Sequence, residues 1–164
     1  MVDAVAPLVG EIIVITDTKD NQRTLSQALS PSIHVLVDEL DLRSPVVGAL
    51  TGFKHAKGGH SLLLSCKMPL ISRDVVSLLL EVSTSYNLVI PRWPSGDVEP
   101  LQAAYNTKVA YEASQAAVTA RELDMNDILS KLRNTLYISS AVLSQLNSKL
   151  TTFLKINTPV ILNE

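Results

Sequence analysis

The residues able to do chemistry in this chain sit where short apolar runs end. Leu62, Leu63 and Leu64 form one such run, which breaks at Cys66-Lys67-Met68-Pro69 before Ser72-Arg73-Asp74 opens an amphipathic helix. A buried strand that ends in polar residues and turns into a helix delivers them to the edge where open α/β sheets bind ligands. Asp38 closes a second run, Ile33–Val37, and Arg92-Trp93-Pro94 follows a third, Leu88–Ile90. A guanidinium beside an exposed indole suits a flat anionic ligand such as a nucleotide or pterin, although Trp93 equally suits a cap on the core edge. Lys54, Lys57, Arg73 and Arg92 are able to surround an anion, or to form a solvated surface. His34, His55 and His60 share no metal-ligand spacing, and a lone cysteine rules out a thiolate zinc site. No G-x-S-x-G, Walker A or G-x-G-x-x-G pattern is present.

The elements that must position these residues alternate. Residues 2–9 read as the tail of an amphipathic helix, with Gly10 at its C-cap. Strand 11–15 precedes a polar turn, 16–21, and helix 22–29; strand 33–37 leads into an acidic loop, 39–41. Ser44-Pro45 begins a helix that runs to Lys57, with proline at a tolerated first-turn position, and Gly58-Gly59 stops it. Strand 62–65, helix 73–84 and strand 88–90 follow, then a proline- and glycine-rich loop. Segments 99–105 and 152–156 read as strands of a mixed-direction extension, 135–139 as a short strand, and 108–121 and 125–132 as helices. The alternation implies a three-layer α/β/α, Rossmann-like fold on a mostly parallel sheet, with 1–164 as a single domain.

The composition is ordinary for a globular interior, with 46% hydrophobic and 18% charged residues. A net charge of −2 lacks the basic footprint of nucleic-acid binding. With Cys66 alone, no internal disulfide forms, and a reducing compartment is expected. The first ten residues lack the features of a signal peptide, and no apolar run approaches the ~18 residues that cross a bilayer. The expectation is a cytoplasmic protein without membrane partners.

Four stretches, in order, resemble the MobA-like nucleotidyltransferases, the molybdenum cofactor guanylyltransferase family. They are Asp38 with SPVVGALTGF from Ser44, LLLSCKMPLIS, VIPRWPSGDVEPLQAAY and FLKINTP. The resemblance implies an enzyme that joins a nucleoside triphosphate, usually GTP, to molybdopterin with loss of pyrophosphate, using Mg2+. It implies nucleotide-binding roles for Asp38, Pro45 and Gly48, and substrate-binding roles for Arg92, Trp93, Glu99, Pro100 and Asn157. Leu101 also matches.

The departures carry equal weight. The family opens with a strand and a Gly-rich loop that cradles the triphosphate, and this sequence begins after both. Lys67 stands where the family places a metal-binding aspartate, so no catalytic residue is intact and no metal ligand is expected. Ser44 replaces a glycine, and Lys155 the first asparagine of N-x-N-T-P. The resemblance therefore implies a guanylyltransferase-like protein impaired in catalysis. The alternatives are a non-catalytic nucleotide- or pterin-binding regulatory module, and a longer gene product in which Met1 is internal. A homo-oligomer is left open. In a doubly wound sheet strand 62–65 should be central, with Asp38, Lys67 and Arg92 at the strands' carboxyl edge. Strands 11–15 and 62–65 are expected to pair directly or to sandwich a replacement strand, including one from another chain.

Overall fold

The computed structural model describes residues 1–40 and 42–156. Its strands are β1 (Ile13–Thr16), β2 (His34–Val37), β3 (His60–Leu64), β4 (Leu88–Arg92), β5 (Gln102–Asn106) and β6 (Thr135–Ser139). The helices are α1 (Val2–Val5), α2 (Lys19–Ala28), α3 (Pro45–His55), α4 (Arg73–Ser83), α5 (Thr107–Thr119), α6 (Met125–Lys131) and α7 (Ser140–Leu146). Side-chain caps set most of the helix starts, because the first turn leaves N–H groups without partners. Ser44 Oγ accepts from Val46 N–H, with Pro45 at the first turn of α3. Ser72 does the same for α4 and Asn106 for α5, while Asp124 and Asp127 form a capping box on α6.

Two sheets result. β1 and β2 pair in parallel; the other four strands take the order β3-β5-β4-β6. Within the larger sheet β5 runs against β3 and β4, and β4 runs parallel to β6. Helices cover both faces of this sheet. On one side α3, α5 and α6 bury Val46, Phe53, Ala110 and Ile128 against Leu88, Ile90 and Tyr105. On the other, Val75 and Leu79 of α4 and Leu143 of α7 pack on Val89, Ala104 and Ile138.

The structure corrects several expectations. Strand 62–65, expected to be central, is the edge strand β3. The 99–105 strand lies inside the sheet as β5, not on an extension of it. Residues 151–153 form a 3-10 turn where a strand was expected, and α7 was not anticipated. β1 and β3 do not pair, and no strand among the described residues lies between them. The reason is α3, which touches both sides. Its Gly48 and Gly52 lie against Ile15 of β1, while Phe53 stacks on Tyr105 of β5 with ring centroids 5.3 Å apart. Closing the gap would pull this helix off one sheet or the other. Asn157 lies outside the described residues.

Candidate functional site

Glu11, just before β1, accepts hydrogen bonds from the N–H groups of Lys57 and Gly58, just before β3. The two sheets are thus tied at their amino ends, and their carboxyl ends open on a common edge. Asp38 follows β2 there and Lys67 follows β3, while Arg92 ends β4.

The acidic half of this edge belongs to the smaller sheet. Asp38 donates its N–H to the Thr16 carbonyl at 2.9 Å, which fixes the backbone, and its Oδ1 is buried without a hydrogen-bond partner. A Cβ on Gly48 would stand 3.8 Å from that oxygen, so the carboxylate lies over bare helix backbone. Burial pushes the Asp38 acid above its usual range; the Thr51 hydroxyl opposes this, and the negative charge of Asp17 adds to it. Asp17 itself is held below the usual carboxylate range, mainly by the Asn21 amide at 2.8 Å. Sequence reasoning passed over Asp17, although it follows a strand as Asp38 does. Pro45 starts the helix that carries Gly48. Lys54 is engaged by Glu39 at 2.5 Å and does not face the site as a free cation.

The other half follows β3. Lys67 is exposed on a turn that fully buried Met68 anchors, and its carbonyl accepts from Ile156 N–H at 2.8 Å. Glu99, only 7% exposed, pairs with Lys155 at 2.7 Å. The Tyr105 hydroxyl donates to the Pro100 carbonyl at 2.8 Å, and burial, with Glu99 adding, pushes that phenol up. Thr152 Oγ1 accepts from both Gln102 Nε2 and Ser72 N–H, binding this segment to β5 and to the start of α4. Lys155, read from sequence only as a departure, is what neutralises the buried Glu99.

Arg92 and Trp93 part company, because successive residues of an extended chain face opposite ways. The Arg92 guanidinium lies 5.0 Å over the Tyr137 ring in a cleft of about 330 Å³ with Ile90, Val98 and Asn126. Trp93 meets Phe153 edge-on at 5.1 Å and lines a different cleft, of about 280 Å³. They do not clamp one ligand between them.

A magnesium ion at the Lys67 position does not fit these residues. An ammonium offers no oxygen ligand, and magnesium requires them. Among the described residues no three His, Cys, Asp or Glu side chains gather into a metal-holding group.

Comparison with known proteins places this arrangement. The chain is 26% identical over 157 residues to the probable molybdenum cofactor guanylyltransferase of Methanosarcina mazei, covering 88% of this chain and 67% of that protein. The corresponding protein of Natronomonas pharaonis is 27% identical, covering 90% and 72%. In fold it resembles molybdopterin-guanine dinucleotide biosynthesis protein A from Archaeoglobus fulgidus, with a TM-score of 0.79, 19% identity, and 96% and 77% of the two chains covered. It also resembles a 2-C-methyl-D-erythritol 4-phosphate cytidylyltransferase from Thermus thermophilus, with a TM-score of 0.66 at 15% identity, covering 96% and 81%. The family model of the MobA-like NTP transferase domain matches residues 1–135, which include β1 to β5, Asp38 and Lys67, and the chain belongs to that family.

Proposed function

We propose that this protein serves molybdenum cofactor biosynthesis as a guanylyltransferase-type protein, with residues 1–164 forming one domain that binds GTP but transfers its nucleotidyl group poorly. The observation that carries the reading is Asp38. Its Oδ1 is a buried acceptor without a partner, over the bare backbone of Gly48 and at the ligand-binding edge of a parallel pair. Guanine presents two adjacent N–H donors able to satisfy a carboxylate; adenine and cytosine do not offer that pair. Molybdopterin would be the acceptor, as in the names of the relatives. Lys67 contributes to poor transfer, because it places an ammonium where the resemblance puts a magnesium ligand. Loss of one positioned electrostatic element costs on the order of 10²–10³ in rate. The exposed thiol of Cys66 supports a cytoplasmic location.

Calorimetric titration with GTP, ATP and CTP tests the binding half. GTP should bind most tightly, and Asp38→Ala should weaken it by about 10–100-fold, the value of a charge-assisted hydrogen bond of ~1.5–3 kcal/mol. Equal affinity for all three nucleotides, indifferent to Asp38→Ala, refutes it. Pyrophosphate release from GTP with molybdopterin and magnesium tests the transfer half; turnover near a median enzyme's ~10 s⁻¹ refutes poor catalysis.

A further inference from the structure

The misfit between Lys67 and a metal site has a positive counterpart. We propose that Lys67 binds a metal-free polyphosphate, the phosphate chain of a nucleotide, so that magnesium weakens the complex instead of supporting it. A hard cation needs oxygen ligands, and the residue that follows β3 at the carboxyl edge supplies a positive charge in their place. Other cations of this edge are already committed. Arg43 lies 3.7 Å from Asp17, and Lys155 is held by the nearly buried Glu99 at 2.7 Å. Arg92 lies over Tyr137 in its own cleft. Lys67 is exposed on its turn and, among the described residues, meets no carboxylate.

The backbone of Lys67 is fully engaged, which leaves the ammonium as its group for a ligand. Ser65 Oγ accepts from Lys67 N–H at 3.2 Å, and the Ser65 carbonyl accepts from Met68 N–H at 3.0 Å. The Lys67 carbonyl accepts from Ile156 N–H, and Ser65 N–H donates to the Leu101 carbonyl, tying the turn to the chain that enters β5. Met68, with no exposed surface, pins the other side. A charge on a flexible stem is thus rooted at a fixed point of the edge. An ammonium is a compact point charge with three donors, suited to phosphate oxygens. Charge then sets the preference. A metal-free polyphosphate meets Lys67 with its full negative charge, whereas a bound divalent ion cancels part of that charge and sets a second cation beside the ammonium. A point charge also attracts the phosphates without fixing the leaving group, so it stabilises ground and reacting states alike and favours binding over transfer. That the phosphates belong to a nucleotide rests on the Asp38 reading; the preference for the metal-free form does not.

Calorimetric titration of the 164-residue chain with GTP and with inorganic tripolyphosphate, each in EDTA and in saturating magnesium, tests both statements. GTP should bind about fivefold more tightly in EDTA, the worth of one close charge pair in water. Tripolyphosphate should show the same preference. Lys67→Met should remove it and Lys67→Arg should keep it; the side chain is exposed, so neither variant disturbs the fold. Asp38→Ala should weaken GTP by one factor in both solutions, leaving the ratio and the tripolyphosphate result unchanged. Affinity that is equal in the two solutions, or higher with magnesium, overturns the proposal. So does a preference that survives Lys67→Met, because it then belongs to the general field of the protein. No binding of either anion overturns it together with the nucleotide reading. Lys67-dependent, metal-free binding of tripolyphosphate but not of GTP upholds the polyphosphate site and overturns the nucleotide reading alone.

Discussion

Replacing Asp38 with asparagine should stabilise the protein at neutral pH while weakening GTP binding. Asparagine keeps the shape of the side chain and removes the charge on a carboxylate whose Oδ1 is buried without a protein hydrogen-bond partner. Leaving a buried acceptor unpaired costs about 1–3 kcal/mol and more when it is charged; asparagine keeps an unpaired polar atom there and removes only the charged excess. The low end applies because Asp38 as a whole is only half-buried and the Thr51 hydroxyl opposes the penalty. A gain on the order of 1 kcal/mol raises a urea midpoint by about 0.5 M for an m-value of ~2 kcal/mol/M. The pH dependence fixes the cause. Because the folded-state acid titrates above its ordinary value of 3.8, the folded chain binds more protons than the unfolded chain between the two values. Stability of the parent therefore falls as pH rises through that window, and the full penalty stands above it. Asparagine carries no such penalty. The variant's advantage should be complete at pH 7 and shrink as pH falls toward 4. Urea titrations of both proteins across this range decide the matter. A variant less stable than the parent at pH 7, or a gain of the same size at both ends, refutes the reasoning about Asp38.

Gly48→Ala should also stabilise, by about 0.5–1 kcal/mol from helix propensity, since the added Cβ meets its nearest atoms at an ordinary 3.8 Å. It should weaken GTP binding by covering the bare backbone under Asp38; equal affinity in calorimetry would remove Gly48 from the site. Lys155→Met strips the partner from nearly buried Glu99 and should cost about 2–3 kcal/mol at pH 7 by urea unfolding. Part of that loss should return in the Glu99→Gln, Lys155→Met double variant, and a purely additive cycle would deny the coupling. Lys67→Asp should leave pyrophosphate release from GTP at the parent's level, because a carboxylate holds magnesium only together with bound phosphate oxygens, whose hold on this chain the substitution does not improve. Restored turnover in that variant would show that Lys67 is the sole obstacle.

Residue order alone settled the kinds and approximate places of most elements, α7 and the 151–153 turn excepted. Ser44-Pro45, Ser72 and Asp124 start helices because a cap needs only its own first turn, and LLL or LVI makes a strand wherever it finds a partner. The resemblance around SPVVGALTGF and LLLSCKMPLIS likewise picked out Asp38 and Lys67, which each follow a strand, and Gly48 in the first turn of α3, so that all three lie near the edge without long-range help. Partnership was another matter. That β5 would enter the sheet between β3 and β4, leaving β3 at an edge, depends on pairings across some forty residues that no local pattern records. The 152–156 segment has the composition of a strand, yet Thr152 is claimed by Gln102 and Ser72, and the chain turns there instead. Arg92 and Trp93, neighbours in sequence, suit either one flat ligand or a Trp93 cap on the core edge, and only the pleat sends them into separate clefts. Glu99 and Lys155 became partners only when the end of the described chain folded back beside Lys67, where the Ile156 N–H meets its carbonyl. Tertiary structure also decided that β1 and β3 do not pair. Nothing in EIIVI or SLLLS says that α3, gripping Ile15 through two glycines and Tyr105 through Phe53, will hold those strands apart.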